Sequence, residues 1–138
     1  GQQRACTDAP DGVAPMQAMG DMVFSNILVD ATACGKDAAF IFTGLPGHPI
    51  ENITLRNITM TVAGGGTTED ANTELAELDL AAIGNHWPEY TCFGATVPAH
   101  GMYFRHVRSL AMSQIRLRTT TPDQRPDILL IDTEVIDE

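Results

Sequence analysis

Apolar and polar residues alternate along several short stretches of this chain, and three of these stretches align with one another without gaps. The three aligned units are residues 19–29, 50–60 and 107–117. In each unit the alternation runs up to an amide residue and resumes one position later, at Asn26, Asn57 and Gln114. Alternation is typical of a half-buried β-strand, and Asn tolerates the left-handed backbone conformation of a sharp bend. Each unit is therefore predicted to form a strand, a bend and a second strand.

Further alternating stretches accompany these three units. Residues 38–42 and 101–106 precede the second and third units, and residues 127–132 begin another repeat. A strand–Asn–strand unit that recurs along a chain is the pattern of a parallel β-helix, in which each coil stacks on the last. The predicted fold is all-β: a right-handed parallel β-helix, forming a short solenoid with three strands per coil. Its amide residues are expected to form an internal, hydrogen-bonded column.

The spacing of the units predicts one long loop insertion. The first and second units lie 31 residues apart and the second and third lie 57 apart, an excess of 26 residues. Three consecutive glycines at 64–66 mark where the extra chain leaves the repeat. Loops of this length in a compact domain are usually functional. The predicted organisation is an extended N-terminal segment at 1–18, followed by β-helix coils over 19–138 with the insertion at 64–98, here called the arm.

Charge narrows the range of partners. The net charge is −10, from 18 acidic and 8 basic residues, which argues against nucleic acid and membrane as partners because both require a basic surface. Five of the eight basic residues are arginines of the C-terminal third: Arg105, Arg108, Arg116, Arg118 and Arg125. A locally positive region can meet an acidic ligand, although arginines on strand faces can equally serve solubility.

Neither the cysteines nor the acidic residues show a metal-binding pattern. The three cysteines, Cys6, Cys34 and Cys92, form no Cys-x-x-Cys pair, so no structural zinc site is expected and at most one intrachain disulfide can form. Cys34 follows a predicted strand and is expected to be a small buried residue. The acidic residues of the arm lack the spacing of a calcium-binding loop. No metal and no cofactor are predicted.

Four stretches carry a resemblance to a known family. They are Gly-Leu-Pro at 44–46, the second unit with the proline before it at 49–60, Pro-Ala-His-Gly-Met-Tyr-Phe-Arg-His-Val-Arg-Ser-Leu at 98–110, and Arg-Pro-Asp-Ile-Leu-Leu-Ile-Asp at 125–132. Over residues 19–138 the chain resembles the C-terminal coils of glycoside hydrolase family 28, the polygalacturonases, which are pectin-degrading right-handed parallel β-helix proteins. The resemblance implies part of a secreted or periplasmic hydrolase of pectin-type, uronic-acid-containing polysaccharide, with this chain forming one wall of the substrate cleft.

The catalytic motifs of that family are missing. Its members hydrolyse pectic polymers by inversion, with a general acid and a base pair of carboxylates, and the resemblance implies the motifs Asn-Thr-Asp, Asp-Asp, Gly-His-Gly and Arg-Ile-Lys. The chain has neither Asn-Thr-Asp nor Asp-Asp, and Gly-His-Pro at 47–49 and Arg-Leu-Arg at 116–118 are partial matches in later coils. No catalytic residue is assigned, and membership of an enzyme stays open. The alternative is a non-catalytic module that binds acidic polysaccharide, or a structural β-helix.

The resemblance places the strand at 101–106 on the floor of the substrate groove. Alternation points Met102 and Phe104 inward and leaves Tyr103 and Arg105 outward and exposed. A guanidinium pairs with a carboxylate bidentately, and a tyrosine ring can pack on a sugar face, so this pair suits a uronate. Glu89 is the only acidic residue expected near this strand. The candidate substrate-binding residues are Tyr103, Arg105, His100, Glu89, Trp87 and Tyr90.

Two kinds of partner are expected. The resemblance implies an acidic polysaccharide or oligosaccharide as the ligand. A β-helix whose first coil is exposed presents unpaired strand edges, and residues 1–18 are too short and too polar for a full cap. Self-association, or association with missing N-terminal coils, is therefore expected.

Overall fold

Parallel strands dominate the residues that the structure, a computed structural model, describes, namely 18–77 and 95–136. In chain order the elements are β1 (Met19–Ala31), a short 3₁₀ helix (Gly35–Asp37), β2 (Phe40–Thr43), β3 (Ile50–Val62), α1 (Thr68–Ala71), β4 (Met102–Thr119) and β5 (Ile128–Val135). The prediction of an all-β protein is confirmed. The predicted N-terminal segment, apart from its last residue, lies outside the described residues, as does the middle of the arm.

The strands form one curled sheet in which every pairing is parallel. β4 is its centre: its first residues lie between β2 and β5, and the rest of the strand pairs with β3, which in turn pairs with β1. Met22 lies opposite Ile53, and Ile53 lies opposite Leu110. This is the register in which the three sequence units align, so the predicted alignment is confirmed.

The three amide residues occupy the bends of β1, β3 and β4. Asn26, Asn57 and Gln114 have φ of 58°, 52° and 54°, the left-handed conformation that the sequence predicts for them. Their neighbours pair across the sheet, so the three residues lie side by side. Asn57 Nδ2 donates a hydrogen bond to Asn26 Oδ1 at 2.9 Å. The predicted side-by-side arrangement of the three residues is confirmed, and its hydrogen bonding is seen between Asn57 and Asn26.

The expectation that this column faces the interior is wrong. Asn26 and Gln114 are exposed and Asn57 is half-buried, with Arg116 Nη1 donating to Asn57 Oδ1 at 3.2 Å. The reason lies in the bend itself. The alternation resumes one position later only because two successive residues, such as Ser25 and Asn26, both point outward. The apolar residues on either side then fill the interior.

Two further sets of left-handed bends run parallel to the amide column. Asp21, Asn52 and Ser109, with φ of 55°, 57° and 56°, form one set, and Asn52 Nδ2 donates to Asp21 Oδ1 at 2.7 Å. His106 and Asp132, with φ of 54° and 43°, form the other. The sequence analysis missed both sets, because their members differ in residue type and so leave no repeated letter in the chain.

The inward-facing residues form one apolar core beneath the bends. Ile53, Ile58, Phe104 and Leu110 are fully buried within it. Phe42 stacks on Phe104 with ring centroids 5.2 Å apart. Burying an aliphatic or aromatic side chain of this size contributes about 1.5–3 kcal/mol. Because β1, β2, β3 and β4 each bring two or more such residues to the same interior and β5 adds Ile128, burial of apolar surface is the main stabilising contribution.

A buried ion pair fastens the base of the arm to the turn between β4 and β5. Asp123 and Arg125 have side chains 1% exposed and are joined through Arg125 Nη2 to Asp123 Oδ2 at 2.7 Å and Nε to Oδ1 at 3.0 Å. Arg125 Nη1 also donates to the carbonyl oxygens of Lys36 and Val97. A Cβ on Gly66 would overlap both members of the pair, so only glycine fits there. The Arg125 guanidinium holds the pKa of Asp123 well below its ordinary value.

Several apolar side chains remain at the surface. Within the described part of the chain, β1, β2 and β5 each pair with a single neighbouring strand. Val23 and Leu28 on β1 are 65% and 83% exposed, and Leu130 and Ile131 on β5 are also exposed. Cys34, expected to be buried, is exposed and free, because it lies in the turn that follows β1.

We expect Asn57→Leu to lower the free energy of unfolding by about 1–2 kcal/mol, because a branched aliphatic residue is strained at positive φ and cannot bond Asn26. Asn57→Gly keeps the backbone conformation and should lose about 0.5–1 kcal/mol. Urea unfolding measures both variants. An equal loss for Gly and Leu would show that the bend conformation is not the source of the effect.

We expect Asp123→Asn to lower the free energy of unfolding by about 3 kcal/mol, because it leaves a buried guanidinium without its counter-charge. The depressed pKa of Asp123 has a second consequence. Its stabilising contribution is complete above the ordinary carboxyl pKa and is lost as the pH falls through the lower folded value. The variant should therefore lose less stability than the wild type on acidification in urea titrations. The exposed Asp37, changed to Asn, is the control and should alter neither quantity appreciably.

Candidate functional site

The outer side of β4, near its first residues, carries two of the predicted binding residues. Met102 and Phe104 join the apolar core, whereas Tyr103 and Arg105 lie outside that cluster, as alternation predicts. Both are nevertheless buried, Tyr103 at 0% exposure and Arg105 at 3%. The expectation that they are exposed is wrong, because residues 75–77 of the arm lie on this side of β4 and bond directly to Arg105.

Arg105 is held by the arm and by β2. Its Nη1 and Nη2 donate to the carbonyl oxygens of Leu75 and Ala76 at 2.8 and 3.0 Å. Its Nε lies 3.4 Å from Thr43 Oγ1 and 3.7 Å from Glu77 Oε2. The guanidinium carbon also lies 5.9 Å from the centroid of the Tyr103 ring, within the range of a cation–π interaction. The planar fork of the guanidinium thus faces a set of oxygen acceptors, the geometry for which arginine is suited.

His106, the next residue, sits between two carboxylates. Its Nε2 lies 2.9 Å from Glu77 Oε1 on the arm, and its Nδ1 lies 2.6 Å from Asp132 Oδ2 on β5. A neutral imidazole has one N–H donor and one acceptor nitrogen. Both contacts are therefore hydrogen bonds at once only when the ring is protonated.

Arg108 completes the group on the β5 side. Its Nη2 lies 2.8 Å from Asp132 Oδ1, and its Nη1 donates to the Asp132 carbonyl oxygen at 2.6 Å. The hydrogen bonds from His106 and then from Arg108 lower the pKa of Asp132. The five side chains of Arg105, Glu77, His106, Asp132 and Arg108 thus form one continuous set, here called the charged row. It joins the arm, β4 and β5.

His100, the third candidate on the described chain, is directed elsewhere. It is buried just before β4, and its Nε2 lies 2.7 Å from Asp127 Oδ1. Its backbone N–H donates to the Pro126 carbonyl oxygen at 3.1 Å, and its Nδ1 has no hydrogen-bond partner among the described residues. These contacts tie His100 to the turn before β5 instead of the charged row. The remaining candidates, Glu89, Trp87 and Tyr90, lie outside the described residues.

Most of the charged row was not predicted. Glu89 was expected to be the only acid near this strand, whereas Glu77 and Asp132 both reach it. A signal for Asp132 existed, since the stretch at 127–132 repeats that at 101–106 and places Asp132 opposite His106. Glu77 had no such signal, because the arm does not repeat any other part of the chain.

The chemistry of the row is that of anion binding. Glu77 and Asp132 each contact a histidine and lie close to an arginine, so neither carboxylate is placed as an unpaired acid or base. Arg105 and His106 together hold one carboxylate, that of Glu77. Among the residues that the structure describes, no group of three or more His, Cys, Asp or Glu side chains is arranged to hold a metal ion.

The described residues form an all-β protein whose parallel sheet sets the buried Arg105 guanidinium, His106 and the part-exposed Arg108 against two carboxylates on its outer side. No protein-family model matches the chain, and no curated protein or solved structure matches it either. In the described ranges, no helix is long and apolar enough to cross a membrane.

We expect Asp132→Asn to flatten the acid dependence of stability. Because the pKa of Asp132 is lowered in the folded chain, its contribution is complete above the ordinary carboxyl pKa and is lost as the pH falls through the lower value. The wild type should therefore lose more stability than the variant as the pH is lowered past the ordinary carboxyl pKa in urea titrations. Glu134→Gln, an exposed change on the same strand, is the matched control. Parallel curves for wild type and Asp132→Asn would contradict the assignment.

Proposed function

We propose that this chain forms right-handed parallel β-helix coils of a polygalacturonase-like glycoside hydrolase and contributes one wall of its substrate cleft. The substrate class is pectin-type polysaccharide that contains uronic acid. Since a polymer of that kind is met outside the cytoplasm, the proposed location is secreted or periplasmic.

Support for the β-helix comes from the regularity of the sheet. Successive parallel strands pair in the register of the sequence repeat, and their left-handed bends lie side by side. Parallel strands cannot be joined by tight hairpins and need a longer crossover connection. The chain must therefore complete such a connection before its next strand pairs with the previous one. The resemblance of residues 98–110 to glycoside hydrolase family 28 points to the same architecture.

The observation that carries the proposal is the binding of a carboxylate on the outer side of β4. Arg105 and His106 hold the Glu77 carboxylate, and the Tyr103 ring lies beside the guanidinium. A uronic acid offers a carboxylate for the cations and a ring face for the aromatic side chain. The groups that recognise Glu77 are those that would recognise such a sugar.

In this proposal the chain does not hydrolyse the bond by itself. Inverting hydrolysis needs an acid and a base about 6.5–9.5 Å apart with room between them for water. Glu77 and Asp132 instead contact opposite nitrogens of one imidazole, which fills that space. The catalytic carboxylates would come from other coils of a longer chain or from another polypeptide.

A second candidate is a non-catalytic module that binds acidic polysaccharide. It is favoured by the same pairing of Glu77 and Asp132, together with the absence of Asn-Thr-Asp and Asp-Asp from the chain. The two candidates share the ligand and differ only in the presence of catalytic coils. Asn-Thr-Asp and Asp-Asp motifs upstream in the complete open reading frame would select the hydrolase.

Both candidate functions include association of this chain with further β-strands. The exposed Val23 and Leu28 lie on β1, whose second edge has no partner among the described residues. Unpaired parallel edges with exposed apolar side chains favour further strand pairing. We propose that this edge receives either a second copy of the chain or the preceding coils of a longer protein.

We expect the purified chain to release no reducing sugar from polygalacturonate and to bind digalacturonate weakly, with affinity that falls as salt is added. Arg105→Lys should weaken binding by about fivefold or more, because an ammonium cannot reproduce the bidentate contact. Arg118→Lys, at an exposed position of the same strand, should bind as the wild type does. Calorimetry measures the affinities, and circular dichroism checks that each variant folds. Equal binding by the wild type and Arg105→Lys would refute the proposed ligand site.

A further inference from the structure

Glu77 occupies a position that a ligand carboxylate would take. Its Oε1 lies 2.9 Å from His106 Nε2, and its Oε2 lies 3.7 Å from Arg105 Nε. Both partners of this carboxylate come from β4, and Glu77 comes from the arm, 28 residues earlier than Arg105. The Glu77 side chain is 49% exposed, whereas Arg105 is 3% exposed. The carboxylate therefore sits at the mouth of a site whose floor is the buried Arg105 guanidinium.

The backbone explains how two adjacent residues reach the same ligand. In a regular strand Arg105 and His106 would point to opposite faces. His106 has a φ of 54°, and this left-handed bend brings its ring to the outer side beside the guanidinium. The cations are thus brought together by the backbone of β4, whatever the arm does.

Two backbone carbonyl groups of the arm also bind Arg105. The carbonyl oxygens of Leu75 and Ala76 accept hydrogen bonds from the two terminal nitrogens of Arg105. Residues 75–77 therefore present two neutral oxygen acceptors and one carboxylate to β4. A sugar acid presents the same combination, as hydroxyl or ring oxygens and a carboxylate.

Asp132 has a positioning role in this arrangement. It accepts from His106 Nδ1 at 2.6 Å, and Arg108 in turn holds Asp132. Fixing one ring nitrogen orients the other, here Nε2, toward the ligand. Arg108 and Asp132 thereby keep the imidazole turned toward Glu77.

We propose that Arg105 and His106 form a binding site for a single carboxylate group and that arm residues 75–77 occupy it as an internal ligand. The inference rests on the proposed function for the identity of the external ligand, a uronic acid. Ligand binding then requires displacement of Glu77. The apparent affinity is reduced by the fraction of molecules in which the site is occupied from within.

The test removes the internal carboxylate and offers a small external one. Glu77→Ala vacates the mouth of the site but leaves Arg105 and His106 in place. Acetate, compared with chloride at equal ionic strength and about pH 6, should raise the melting temperature of this variant by about 3 °C. It should also shift the imidazole resonances of His106 in a saturable way. The wild type and Glu74→Ala, which loses an exposed carboxylate from the same segment, should show neither effect.

A second variant covers the case in which Glu77→Ala does not fold. Glu77→Gln keeps the shape of the side chain and weakens its hold on the cations, because a neutral amide is a poorer partner than a carboxylate. Its affinity for acetate should exceed that of the wild type by about threefold or more, with Glu74→Gln as the control. If acetate acts on neither Glu77 variant more than chloride does, the inference is overturned.

Uronate binding is measured separately from acetate binding, because the two ligands test different proposals. Acetate binding to the Glu77 variants without any binding of galacturonate or digalacturonate supports the carboxylate site and refutes the proposed function. Uronate binding of equal strength in the wild type, Glu77→Gln and Glu74→Gln supports the proposed function and refutes the internal ligand. Uronate binding that strengthens only in the Glu77 variants supports both.

Discussion

The left-handed bends set in register across the parallel strands are the constraint on which the rest of the structure depends. Neighbouring parallel strands can stay paired through a bend only if each of them bends at the same position. Asn26 and Asn57 meet this condition in one column, and Asp21 and Asn52 meet it in another. Their short polar side chains tolerate positive φ and bond one another across the strands. Apolar residues between the columns are thereby turned to one interior.

The same constraint produces the candidate site. His106 and Asp132 are bend residues of β4 and β5, and their side chains meet because the two strands are in register. The bend at His106 also brings its ring to the side on which Arg105 lies. A backbone bend that the fold requires has thus placed Arg105, His106 and the Asp132 carboxylate on the outer side of the sheet. The arm adds the second carboxylate, from Glu77.

The arm determines what that surface can do. Its base is held by the buried pair of Asp123 and Arg125, which also binds the carbonyl oxygens of Lys36 and Val97. Further along, Leu75 and Ala76 cover the Arg105 guanidinium. A strand face that alternation alone would leave open to solvent is therefore closed by chain from outside the repeat. Any ligand of Arg105 must compete with contacts that the chain already makes.

The pattern of residues along the chain predicts the all-β class, the extents of the strands to within a few residues and the register through Asn26, Asn57 and Gln114. These features are predictable because alternation and bend preference are local properties that recur with each unit. Contacts between distant parts of the chain are needed to show that the amide column faces outward, that Tyr103 and Arg105 are buried, and that Glu77 reaches His106. The alternation of apolar and polar residues predicts which face of a strand a residue occupies. What covers that face depends on contacts with a non-repeating arm, and no pattern within the strand encodes them.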